Sequence, residues 1–95
     1  MLVQLLRQQD IVEVERIWVR DSYNGDYLIM ASTPVKMGIN GLYNEDIELF
    51  RRDDYDLVRQ MFKEISDSLI LKEGLIIMDD ILFNALEELN IGGEE

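Results

Sequence analysis

The chain contains no cysteine and no histidine. That excludes disulfides, thiolate and imidazole metal sites, cysteine nucleophiles and any catalytic triad built on a histidine base. The lack of cysteine also fits a reducing compartment. Proline occurs once, at Pro34, where it would deny a sheet ladder a donor. Long hydrophobic runs are missing too. Tyr27 to Ala31 and Leu75 to Met78 fall far short of the roughly 20 residues a membrane span needs. The opening MLVQLLRQQD has no basic segment ahead of its apolar run, and Gln4 breaks that run, so no signal peptide is read there. The expectation is a soluble, cytoplasmic protein without membrane contact.

Bases are scarce. Nine Lys and Arg stand against twenty Asp and Glu, for a net charge of −11. From Glu73 to Glu95 the charge is −7, with no base at all, while the first 72 residues carry −4. Such a surface disfavours direct binding to nucleic acid or to an anionic membrane. It suits a basic partner or, more commonly, serves solubility alone.

What is present is enough for one globular domain over residues 1–95. The chain is 47% hydrophobic, too apolar for disorder, and 95 residues are too few for two cores. The clearest element is DDYDLVRQMFKEISDSL, Asp53 to Leu69. Val58, Met61, Phe62, Ile65 and Leu69 recur with the 3.6-residue period of an amphipathic helix. Asp53 or Asp54 is placed to cap it, and Asp56 carries the charge that the first turn favours. Arg59, Gln60, Lys63, Glu64 and Asp67 make the polar face.

Strands are expected before this helix. Met1 to Arg7 leads through Gln8-Gln9-Asp10 into Ile11 as strand–turn–strand. IVEVERIWVR is β-rich, but its alternation flips between Val14 and Ile17, so either a bulge or a junction of two short strands sits near Glu15-Arg16. Asn24-Gly25 predicts a hairpin through a type I′ turn. The return strand, YLIMAS, is apolar throughout and is expected to be central, covered on both faces or on one face by a dimer partner. In TPVKMGINGLYN a small hairpin turning at Asn40-Gly41 is expected. EDIELF alternates, except that Phe50 interrupts its polar face. After the helix, Gly74 is a plausible stop, and Leu75 to Met78 cannot be assigned by periodicity. Asp79 or Asp80 caps a second helix through Asn90 with the stripe Leu82, Phe83, Ala85, Leu86 and Leu89, and residues 91–95 are read as a loose tail. The fold class is α+β: an antiparallel meander of four to five strands with two helices, the first packed on one sheet face.

Candidate sites are few. Neither Gly25 nor Gly41 sits in an EF-hand loop, because Arg20 and Lys36 fall where the first calcium ligand should be. Asp53, Asp54 and Asp56, and Asp79 with Asp80, all lie at helix starts, where capping explains them without acid–base or magnesium chemistry. The glycines at 38 and 41 fit no phosphate-binding pattern. No catalytic, cofactor or metal residue is assigned. Two surfaces remain. If exposed, Met37, Ile39, Leu42 and Tyr43 would form an adaptable apolar patch for a protein partner; the commoner outcome for such residues is to fold back as core. Asp79, Asp80, Glu87 and Glu88 would form an acidic face. Arg16 with Arg20 and Arg51-Arg52 read as ion-paired or solvated surface.

The run EDIELFRRDDYDLVRQMFKEI combines a strand ending in I-x-L, a short acidic turn and one amphipathic helix. From Ile11 to Ile65 the chain resembles small acidic sheet-plus-helix proteins of phage and prophage type. The resemblance is one of periodicity and transfers no site residue. It implies an accessory or host-modulating role, and some small acidic inhibitors of CRISPR nucleases are similar in size, charge and make-up. The expected function is therefore a non-enzymatic protein–protein interaction or regulatory module, without cofactor, either monomeric or homodimeric. The alternative is an acidic nucleic-acid mimic that inhibits a DNA-binding protein or nuclease. The third is a small carboxylate-dependent hydrolase.

Overall fold

In the computed structural model, residues 1–22, 24–72 and 74–93 are described, the last four of these by backbone alone. Among these described residues eight short strands and two helices follow one another: β1 Leu2–Gln4, β2 Ile11–Glu13, β3 Arg16–Asp21, β4 Tyr27–Ser32, β5 Lys36–Gly38, β6 Gly41–Tyr43, β7 Asp46–Arg52, α1 Tyr55–Ile70, β8 Ile76–Ile77 and α2 Met78–Gly93. The class is α+β, with α1 on a sheet as expected. The meander is only approximate, because the strands fall into three small sheets, ordered β2-β1-β8, β3-β4-β7 and β5-β6.

The flipped alternation around Glu15-Arg16 marks the junction between two of these sheets. The chain leaves the first sheet at Val14, whose N–H donates to the Met1 carbonyl (2.8 Å), and Glu15 N–H donates to the Ser32 carbonyl (2.7 Å) as the second sheet begins. The unassigned Leu75–Met78 run supplies β8, which pairs parallel to β1 through Val3↔Ile76 and Gln4↔Ile77. Two residues cannot show a period, so this strand was invisible to pattern reading.

β4 is central, antiparallel to β3 on one side and β7 on the other. Its Ile29 and Ala31 face α1, whose Leu57, Val58, Met61 and Ile65 are buried in the same cluster. The helix stripe thus includes Leu57, while Leu69 is exposed at its end. The β4–β7 register shifts between Ile29 and Met30. This bulge leaves Leu49 as the extra residue, so Leu49 and Phe50 both enter the core. Phe50 therefore belongs to the apolar side, and the polar face runs Asp46, Glu48, Arg51. On that face Trp18, Leu28 and Met30 sit in register with Arg16, Arg20, Glu48 and Arg51, and Leu28 and Met30 are buried. Arg51 pairs with Glu48 at 2.8 Å and, more loosely, with Asp26 at 3.6 Å. The Glu48 hydrogen bond raises the Arg51 pKa further. Arg16 and Arg52 stand over the rings of Trp18 and Phe50.

Turn chemistry differs from expectation at three places, and at the start of α1 it matches. The β3–β4 hairpin closes with Gly25 at φ +83°, Ser22 N–H bonded to the Asp26 carbonyl and Gly25 N–H to the Ser22 carbonyl. That is a three-residue closure ending on a left-handed glycine rather than a two-residue type I′ turn. Asp54 is the α1 cap, its Oδ1 accepting from Leu57 N–H at 3.1 Å. The helix stops at Ile70 with Lys72 in the left-handed region (φ 56°), so Gly74 is not the stop. α2 begins at Met78, which places Asp79 and Asp80 inside its first turn, and it runs on to Gly93. Of the expected tail, Glu94 and Glu95 lie outside the described residues. The α2 stripe is also rotated. Met78, Ile81 and Ala85 are buried, Leu82 and Leu89 pack partly, and Phe83 and Leu86 are exposed.

Candidate functional site

β4 and β7 form a two-stranded ribbon that continues past the main sheet. Ser32↔Asp46 is the last pair of that sheet. Next, Thr33 N–H donates to the Glu45 carbonyl (2.8 Å), and Glu45 N–H donates to Thr33 Oγ1 (2.9 Å). This clamp forms a neck. Pro34, lacking a donor, ends the ladder there. Pairing resumes as the β5–β6 arm, with Lys36↔Tyr43, Met37↔Leu42 and Gly38↔Gly41. From Tyr27 to the arm's tip the ribbon extends about 40 Å at ~3.3 Å per residue, whereas the 16 residues of α1 span about 24 Å. The ribbon outruns the helix that covers its base, which is the physical reason the arm is not core.

The two central residues of the turn are Ile39 and Asn40, one position earlier than expected, and Gly41 takes φ +111°. A side chain there would be strained, so the glycine is required. A Cβ on Gly38 would meet the Tyr43 ring at 3.0 Å, so the ring lies against that glycine. Met37 is 80% exposed, Leu42 72%, and Ile39 wholly so at the tip. The expectation that these residues fold back as core is thereby overturned. Met37 and Leu42 are cross-strand partners and share one face. Tyr43, also exposed, is on the other face with Lys36. The four expected residues are thus all solvent-facing, but only Met37, Leu42 and the tip form one continuous apolar surface. Val35 extends it toward the neck.

The acidic candidates divide differently. Both carboxylate oxygens of Asp79 accept from Arg7 N–H at 3.2 Å, which ties the β1–β2 turn (Arg7 φ 56°) to the start of α2. Asp80 and Glu87 share a helix face about 10 Å apart. Glu88 acts instead on Glu64 of α1. The four do not form one row. Glu64 is the group that sequence reasoning misplaced, as part of a solvated polar face. One of its oxygens is buried without a hydrogen-bond partner. Burial, and next the charge of Glu88, push its carboxyl above the usual range. The signal was hidden because the side of α1 that receives α2 is itself polar in sequence.

A groove of about 690 Å³ runs beside the neck, lined by Met1, Glu13, Val14, Glu15, Arg16, Ile17, Pro34, Phe62, Ser66 and Leu69. Among the described residues no helix is long and apolar enough to cross a membrane, and no three acids cluster as metal ligands. Compared with family models, curated proteins and solved structures, the chain shows no match.

Proposed function

We propose that the chain is a non-enzymatic, cytoplasmic protein–protein interaction module of phage or prophage type that docks through the β5–β6 arm. The observation that carries this reading is an apolar, solvent-facing ribbon held out on a hydrogen-bonded neck. Exposed Met37, Ile39 and Leu42 contribute nothing to the core, and clustered exposure of large apolar side chains marks association surfaces. The neck and the glycine-defined turn pre-organise the arm, which lowers the ordering cost of binding.

The test is photo-cross-linking in the native host, with the reactive residue at position 39 and a control at exposed position 59. Adducts specific to position 39, retained at high salt and lost in a Met37→Asp background, support the reading. Equal labelling from both positions, or none, overturns it. Binding that survives Met37→Asp but fails when Glu87 and Glu88 become Gln, and that weakens steeply with salt, would favour the acidic mimic instead.

A further inference from the structure

Resting on the docking role of the arm, we propose that its partner is a second copy of this chain. The two molecules exchange arms, each β5–β6 arm lying in the other's groove beside the neck.

The groove and the arm complement one another. Half of the groove lining is apolar: Met1, Val14, Ile17, Phe62 and Leu69, the last of them exposed. It is an open depression of about 690 Å³, of the shape that a flat ribbon rather than a small ligand covers, and the arm offers Met37, Ile39 and Leu42. The groove mouth carries exposed Glu13, Glu15 and Arg16, net negative. The arm is the opposite. From Tyr27 to Asn44 the chain holds no acid and one base, Lys36, whereas the whole carries −11. Two copies repel over most of their surface, and this acid-free ribbon is where they can meet.

The geometry also suits closure. Pro34 lines the groove, so the groove begins where the arm departs. A two-fold axis near the necks sets each arm across the other's groove in an isologous pair. Met37, Ile39 and Leu42 are exposed in the single chain, so the contact is between molecules.

Sedimentation velocity on the purified full chain, from micromolar to millimolar concentration, tests this. The wild type should dimerise with concentration, and no less tightly as salt rises, since salt screens the repulsion between two acidic copies. Ile39→Asp should weaken dimerisation about 30-fold or more, as loss of a central apolar anchor does. Leu69→Lys, which leaves the arm intact and puts a cation where a helix C-terminus favours one, should weaken it comparably. Mixing Ile39→Asp with Leu69→Lys should restore a heterodimer, because one intact arm then meets one intact groove and the altered sites face each other with opposite charge. Circular dichroism confirms that the variants are folded. A wild type that stays monomeric, a dimer indifferent to the arm and groove variants, or a mixture that fails to pair would each overturn arm exchange. A monomeric chain that still cross-links a different protein from position 39 overturns arm exchange and leaves the docking role standing. A monomeric chain with no such adduct removes both.

Discussion

β4 and the β5–β6 arm are neighbours in the chain and both carry large apolar side chains, yet their environments are opposite. YLIMAS of β4 is buried from Leu28 to Ser32. KMGINGLY of the arm leaves its large apolar side chains in solvent. The arm is the less hydrophobic of the two, diluted by Lys36, Asn40 and two glycines, but the decisive difference is what each strand pairs with and what covers it. β4 has a strand on each side and α1 across Ile29 and Ala31. Each strand of the arm has only the other, and α1 ends before reaching it. An isolated two-stranded hairpin is marginal by itself, so the arm depends on the neck and on Tyr43 lying against Gly38 to hold its shape.

The comparison is broken most severely from the β4 side. Ile29 is fully buried between the two flanking strands and α1. Ile29→Ala should cost about 3 kcal/mol, a transfer term plus the cavity left behind, read as a fall in the urea midpoint at unchanged slope. In a domain whose total stability is of the order of 5–15 kcal/mol, that removes a large share. A loss under about 1 kcal/mol would mean that β4 is less tightly enclosed than its burial indicates.

A smaller effect is expected at the helix that provides the cover. Asp54→Ala removes the acceptor for Leu57 N–H and should cost about 1 kcal/mol. Asp53→Ala should cost much less, since Asp54 is the residue in the cap. Equal effects from the two would show that charge near the helix start, not the specific hydrogen bond, stabilises α1.

Glu64→Gln should act in the other direction. The ordinary glutamate value is 4.5, and in the folded chain burial and Glu88 raise it. Above 4.5 the native state therefore holds a proton that the unfolded chain has released, so stability falls as pH rises through the raised native value. The favourable contribution is complete only below the unfolded value. Removing the charge should stabilise the protein at neutral pH by at most about 1 kcal/mol, since solvent screens a partly exposed group. The gain should vanish in denaturation curves at pH below the ordinary value. A gain independent of pH would locate the effect in packing instead.

How much of this was legible from sequence follows a physical line. Elements whose signal repeats were readable: α1 from its 3.6-residue period, β4 from a run of apolar residues, the two hairpins from Asn and Gly. Where a single residue decided the outcome, pattern reading failed. The bulge at Leu49 moved Phe50 to the core side, and no alternation rule announces a bulge in advance. Lys72 adopted the left-handed conformation two residues before the glycine suited to it. Phe83 and Leu86 fitted a helical stripe as well as Ile81 did, and only the position of α1 selects between those faces. The candidate site shows the same limit. Met37, Ile39, Leu42 and Tyr43 were identifiable as apolar residues among turn formers, but their exposure depends on where α1 ends relative to the ribbon. That is a three-dimensional length comparison, absent from any local window.

The smallest expected stability change is the one that most sharpens the contrast. Met37→Asp and Leu42→Asp replace side chains that the folded monomer leaves largely in water, so each should shift unfolding by less than about 0.5 kcal/mol. The same substitution at Ile29 would strand a charge in the core and abolish folding. The arm variants should therefore keep the wild-type circular dichroism and denaturation midpoint, measured at low micromolar concentration where association adds nothing. If arm exchange holds, the wild-type midpoint should then rise with protein concentration while those of the variants stay fixed, because only the wild type gains binding energy by mass action. A midpoint that drops with Met37→Asp even in dilute solution would mean that the arm packs against its own chain. Its apolar residues would then be explained by the monomer, without a partner.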